Sequence, residues 1–258
     1  QGMALKEVKF HIERLESWAS QFSMKIKWTL FGKGDQWRGT NRQWKFGEEL
    51  MEKAMKDLGK DCDYFRDTQC FSGPSLVLEF IDSIGRSWQM SSIRFDFHLP
   101  QSLSLRYQNN SGEIQPPLMV VVSFFQSLEK MLALIVEHYE GKLPLWLSSE
   151  HVRVIPVAGK HISYANKLKE VFEEKGIRSI IEKRDEKLSS KVHHCLTQGT
   201  PYLLIVGDEE ENNETLTVRK RDSKEIKGIK FDKFIRMILN ELKDKQQIEN
   251  FIQILKEV

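Results

Sequence analysis

From residue 152 onward, apolar runs of strand length alternate with segments of helical length, and that alternation restricts the fold more than any other feature of the chain. The order is a strand at Val152 to Val157, a helix at Ile162 to Lys175, a strand at Ser179 to Glu182 and a helix at Leu188 to Gln198. Strands at Tyr202 to Val206 and Leu216 to Arg219 follow, then a last helix from about Phe231. This order predicts an α/β domain with a mixed, mostly parallel sheet and helices on both faces. Charges gather at the strand ends, in Glu182 to Lys187, Gly207 to Glu210 and Arg219 to Arg221. Ligands of open α/β sheets are met at such ends, which are also ordinary places for solvated charge. The run Glu209 to Glu214 reads as a solvated turn.

The first half reads differently. Val8, Ile12, Leu15, Trp18, Ala19 and Phe22 recur at helical spacing, so Lys6 to Phe22 is an amphipathic helix expected to pack on a sheet. Lys25 to Phe31 alternates apolar Ile26, Trp28 and Leu30 with polar Lys25, Lys27 and Thr29, the pattern of a half-buried strand. Gly32-Lys33-Gly34-Asp35 breaks it, without the glycine spacing before a Lys-Ser/Thr pair that a phosphate loop needs. A second helix runs from Gln43 to Leu58 and stops at Gly59. Strands at Leu76 to Ile81, Trp88 to Phe97 and Leu103 to Tyr107 are separated by turns at Asp82 to Gly85, Leu99-Pro100 and Asn109 to Gly112, which predicts an antiparallel sheet. Leu118 to Val122 is almost wholly apolar and implies cover on both faces. Phe124 to Tyr139 reads as a helix whose apolar face is Phe125, Leu128, Leu132, Ile135 and Val136. Strands gathered first and closed by a helix make an α+β arrangement.

A chain of 258 residues exceeds most single cores and fits two domains. Gly141 to Pro144 and Ser148-Ser149 mark the boundary near Leu147, giving domains 3–147 and 148–258. Charged residues at 29% and hydrophobic ones at 40% describe a soluble globular protein without a membrane span. A net charge of +2 makes any basic surface local. Cys62, Cys70 and Cys195 lack CxxC spacing, which argues against a zinc ribbon and fits a reducing, intracellular compartment, cytoplasmic or mitochondrial. No signal peptide is evident, and Gln1-Gly2 reads as a protease-cleavage scar from expression.

Trp88 to Pro100, Ser127-Leu128-Glu129-Lys130 and His138 to Leu147 together resemble the C-terminal part of the threonyl-tRNA synthetase catalytic domain, a class II fold. The stretch from Val152, with Tyr202 to Asp208 and Val218-Arg219-Lys220-Arg221, resembles the anticodon-binding domain of the same family. The resemblance implies a class II synthetase-like domain followed by an anticodon-binding domain. It also places the family's first two class-defining motifs, and two of its three zinc ligands, ahead of this chain. The third zinc-binding histidine falls on Val121, which has no lone pair to give Zn²⁺. The arginine that bridges ATP phosphates falls on Lys130, which keeps the charge without the planar fork. The family's Phe-Tyr-Gly-Pro-Lys is Phe71-Ser72-Gly73-Pro74-Ser75, and a family glutamine is Arg94. Changes at Ser72, Ser75, Arg94, Val121 and Lys130 leave adenylate formation without a site, while Pro74, Gln89 and Glu129 persist as turn and packing residues.

By the same resemblance, Arg184, Asp185, Lys187, Lys191, Glu210, Arg219 and Arg221 form the nucleic-acid-reading surface. Splayed bases are read by hydrogen bonds and by stacking on planar groups, and cations hold the phosphates. Glu210 is placed to accept from a guanine edge, Arg219 to stack or donate, and Lys187 with Lys191 to meet the backbone. Arg219, Lys220, Arg221, Lys224, Lys227 and Lys230, against Asp222 and Glu225, add a local basic excess. The expected function is a catalytically inactive threonyl-tRNA synthetase-like protein that binds tRNA or another structured RNA, with no metal or cofactor. One alternative is the C-terminal portion of an active threonine–tRNA ligase, which would use ATP and zinc. The other is an accessory subunit with a protein partner or a second copy, which predicts an exposed apolar patch around Phe124 and Phe125.

Overall fold

The structure, a computed structural model, describes residues 2–67, 70–222 and 224–244 and divides the chain after His138 into two units. Gln1 of the Gln1-Gly2 pair lies outside the described residues. The first unit begins with α1 (Gly2–Ser20), β1 (Lys25–Lys33) and α2 (Asn41–Asp57). Thr40 caps α2: its hydroxyl accepts from the Gln43 N–H at 3.2 Å, and Gln43 Oε1 accepts from the Thr40 N–H at 2.8 Å. Gly59 follows α2 at φ +66°, which only glycine adopts without strain. Next come β2 (Asp63–Asp67), β3 (Ser75–Ile81), β4 (Ser87–Asp96) and α3 (Leu99–Ser102). The short strands β5 (Tyr107–Gln108) and β6 (Ile114–Gln115), then β7 (Met119–Ser123) and α4 (Leu128–His138), complete the unit.

Its main sheet has the order β2-β1-β3-β4-β7 and is antiparallel except for the β1–β2 pair. Val8, Ile12 and Leu15 of α1 and Trp44, Met51 and Met55 of α2 are buried with Leu30, Leu76, Phe80, Ile93 and Phe95 of the strands. Fully burying one such side chain stabilises the fold by roughly 1.5–3 kcal/mol. Met90 is an extra residue between the Leu78–Ser91 and Glu79–Gln89 pairs, a bulge that re-aims the first part of β4.

Three expectations change here, and one strand is new. Leu103 to Arg106 is not a strand, and only Tyr107 of that stretch pairs, with Gln115 in the short β5–β6 ladder; before it the Asp96 carboxylate accepts from the His98 and Leu99 N–H groups at 3.0 and 2.8 Å and opens α3. β7 is the outer strand of the sheet, so all five of its residues are half-buried rather than covered on both faces. α4 buries Leu134 and Ile135, while Leu128, Leu132, Val136 and Phe125 are exposed. A helix apolar on most of its circumference does not reveal from its period which stripe turns inward. β2 carried no signal, because Asp63, Arg66 and Asp67 interrupt any apolar pattern.

The second unit contains β8 (Val152–Pro156), α5 (Ile162–Glu174), β9 (Ser179–Ile181), α6 (Leu188–Thr197) and β10 (Tyr202–Val206). It continues through α7 (Asp208–Asn213), β11 (Thr215–Lys220), β12 (Ile226–Lys230) and α8 (Phe231–Asp244). The sheet order is β12-β11-β10-β8-β9, with β8 parallel to both β9 and β10 and the β10–β11 and β11–β12 pairs antiparallel. Helices cover both faces. Leu168 and Phe172 of α5 and Phe234 and Ile238 of α8 join one core with Val152, Val154 and Leu204; Val192 and Cys195 of α6 join another with Ile155, Leu203 and Ile205. Residues 139–147, expected at the end of the first domain, belong to this unit, and Leu145 is in its core. The expected solvated turn at Glu209 to Glu214 is mostly α7, ended by Glu214 at φ +52°. Among the described residues no helix is long and apolar enough to cross a membrane.

Candidate nucleic-acid interface

The loop after β9 carries the most exposed of the expected RNA-reading residues. Asp185 and Lys187 are exposed and Arg184 is half-exposed. Arg184 is not a free arm. Its Nε donates to Glu182 Oε1 at 2.9 Å, its Nη2 to Glu182 Oε2 at 3.2 Å, and its Nη1 to Glu186 Oε1 at 3.3 Å. Behind it, the buried Glu182 also faces Arg153 at 3.7 Å, and Arg153 is bound to Glu150 at 2.9 Å. Burial alone would raise the Glu182 pKa, but the bonds from Arg184 and the nearby Arg153 charge outweigh it and hold the carboxyl below its usual value. The guanidinium plane of Arg184 is therefore fixed at the sheet edge with part of its surface open. Sequence reasoning missed Glu150 and Arg153 and read Glu182 only as a strand-end charge; the available signal for its fixing role was an acid directly after Ile180-Ile181.

The other expected contacts have internal roles. Lys191 is buried and its Nζ donates to the Pro156 carbonyl at 3.2 Å, at the C-terminal end of β8. Glu210 is buried: Oε2 accepts from the Gly207 N–H at 2.9 Å and Oε1 from the Thr217 hydroxyl at 2.7 Å, which ties α7 to β11. Arg221 donates to the carbonyls of Gly199, Lys142 and Leu143 at 3.0, 3.1 and 3.1 Å, and its burial lowers its pKa. Arg219, half-buried, lies 3.6 Å from Glu225. Arg219 pairs with Leu203 and Arg221 bonds to Pro201, both toward the start of β10, whereas Glu210 follows the end of β10 and is tied to Thr217. Lys224, Lys227 and Lys230 are exposed.

In the first unit, Ser75, Arg94 and Val121 form one row across β3, β4 and β7, since Ser75 pairs with Arg94 and Arg94 with Val121. Arg94 reaches Asp96 at 3.6 Å. Ser72 is buried, and its carbonyl accepts from the Phe97 N–H at 2.9 Å. A Cβ on Gly73 would lie 2.1 Å from the Phe95 carbonyl oxygen, so this glycine is needed for the close approach of the two chains. Lys130 Nζ donates to the backbone carbonyl of Gln89 at 3.3 Å. The row offers no imidazole, thiolate or carboxylate, and Arg94 sets a cation directly opposite Val121. A zinc ion does not fit there. Among the described residues no three His, Cys, Asp or Glu side chains are placed to hold a metal.

An antiparallel sheet backed by helices, followed by a mixed α/β domain with fixed charge at a strand end, is the architecture of a class II aminoacyl-tRNA synthetase. Residues 8–139 match the tRNA synthetase class II core domain (G, H, P, S and T), and residues 151–241 match the anticodon-binding domain. The chain belongs to this class II tRNA synthetase family. It is 33% identical over 256 residues to the threonine–tRNA ligase catalytic subunit of Saccharolobus islandicus (strain M.16.4 / Kamchatka #3), covering 98% of this chain and 47% of that protein. With the threonine–tRNA ligase of Aquifex aeolicus (strain VF5) it shares 33% identity over 208 residues, 81% of this chain and 33% of that one. A crystal structure of the RNA-binding domain of threonyl-tRNA synthetase from Cryptosporidium parvum Iowa II superposes with a TM-score of 0.85 at 24% identity, covering 92% of this chain and 60% of that one. The chain spans about half the length of the Saccharolobus relative, 47%.

Proposed function

We propose that this chain binds tRNA, or another structured RNA, through its second unit and does not itself activate threonine. The observation that carries the reading is the fixed, partly open Arg184 guanidinium between Glu182 and Glu186, with exposed Asp185 and Lys187 beside it. A planar cation held in place loses little freedom on stacking against a base, and a neighbouring carboxylate and ammonium suit a base edge and a phosphate. Lack of activation is supported by the Ser75–Arg94–Val121 row, where a family zinc ligand is replaced by an isopropyl group facing a cation. Binding of tRNA with threonine and non-threonine anticodons, measured across a salt series, tests the RNA reading. Tight binding whose affinity falls with salt is expected, and equal, negligible affinity for both overturns it.

A second reading is favoured by the 47% coverage of the Saccharolobus ligase subunit: the chain is the C-terminal portion of a working threonine–tRNA ligase. ATP–pyrophosphate exchange with threonine, on the longest natural form, separates the two. Robust exchange selects the ligase.

A further inference from the structure

A hollow of about 490 Å³ lies beside the first turns of α2. Its floor and walls include Phe46, Phe97, Pro100, Pro117 and Leu118, and its α2 side carries Arg42, Lys45 and Glu49, two cations to one carboxylate. Phe97 stacks on Phe95 with centroids 5.9 Å apart, and Phe46 meets Phe95 at 6.3 Å, so the aromatic floor is anchored in the core. The size is that of small-molecule sites, which pair an apolar lining with a few polar groups. The charge on the α2 side has one sign in excess. Lys45 is 3.7 Å from Glu49, whereas Arg42 is exposed and has no ion pair among the described residues. The first turn of α2 contains no acid, so its backbone N–H groups, apart from that of Gln43, which donates to the Thr40 hydroxyl, add to this positive field.

We propose that this hollow binds a small aromatic monoanion, its ring on Phe46 and Phe97 and its anionic group toward Arg42 and Lys45. An apolar neutral molecule would use the floor alone, and a cation would meet like charge. The site is independent of the RNA-binding reading.

Fluorescence titration of the whole chain with anilinonaphthalene sulfonate, and with uncharged N-phenyl naphthylamine, tests the assignment. The anionic probe is expected to bind at one saturable site, and Arg42→Glu with Lys45→Glu to weaken it about tenfold or more while the neutral probe changes by less than about twofold. Gln101→Trp, which fills the hollow from an exposed position, is expected to abolish binding of both probes there. Leu132→Glu on the exposed stripe of α4 is the control and is expected to leave both unchanged. The altered positions are exposed, and unchanged melting curves confirm that each variant folds. Absence of saturable binding overturns the proposal. So does probe binding that ignores Gln101→Trp or the charge reversal, and so does binding lost in Leu132→Glu, which would place the probe on α4.

Discussion

His151 couples solution pH to the interior of the second unit. It is 1% exposed, its Nδ1 accepts from the Arg178 N–H at 3.2 Å, and its Nε2 has no partner among the described residues. Burial first, and then the Arg178 charge, pushes its pKa down to about 4. In the unfolded chain an imidazole titrates near 6.5, so between the two values the unfolded state binds the extra proton. Stability is then fully present above about pH 6.5 and declines as pH falls toward 4, by roughly 2 kcal/mol between pH 7 and 5 from this residue alone. Urea unfolding at those two pH values should give a flatter dependence for His151→Gln than for the wild type; equal slopes would remove His151 from the account. Under the RNA-binding reading, Arg184→Lys keeps the charge and loses the fork on Glu182, so tRNA affinity should fall about tenfold at an unchanged salt slope. Lys187→Ala should instead lower that slope by roughly one. Filter binding at several salt concentrations distinguishes these outcomes.

Among the elements, α4 gives the sharpest contrast between burial and hydrophobicity. Ile135 is 3% exposed and Leu132 is 52% exposed, although both are large aliphatic residues on one helix. Ile135→Ala should cost about 2–5 kcal/mol, because it leaves a cavity. Leu132→Glu should stay within about 0.5 kcal/mol. Chemical denaturation of the two variants measures the difference, and a comparable loss for both would mean that Leu132 is covered in solution. What the sequence disclosed follows the same physics. β10 was legible to the residue because Tyr202 to Val206 are all buried and turn residues flank them. β12 was not, since Lys227 and Lys230 break the pattern on an outer strand. α7 is entirely polar and is held by the Glu210 bonds to Gly207 and Thr217, a tertiary cause that no local period records. The exposed site residues Asp185 and Lys187 could be read as charges at a strand end. Lys191, Glu210 and Arg221 could not be told from them, because only the folded chain sets a carbonyl or an N–H opposite each.

For the whole molecule, the question is where one unit may be cut from the other. Sequence places the boundary at Leu147, after the Gly141 to Pro144 turn. The segment before that point belongs to the second unit physically: Leu145 is 3% exposed in its core, and the Lys142 and Leu143 carbonyls accept from Arg221. A fragment starting at residue 148 would empty the Leu145 site and leave the buried guanidinium of Arg221 short of two acceptors. A fragment of residues 139–258 keeps both. The shorter fragment should be less stable by about 3 kcal/mol or more, a drop in melting temperature on the order of 10 °C. Under the RNA-binding reading, the longer fragment should also reproduce the salt slope of the whole chain for tRNA, since Arg184, Asp185, Lys187 and the exposed lysines of the β11–β12 region all lie within it. Equal melting temperatures for the two fragments would show that Arg221 and the Leu145 cavity find other partners. A fragment of residues 139–258 that folds but loses most of the slope would place phosphate contacts in the first unit.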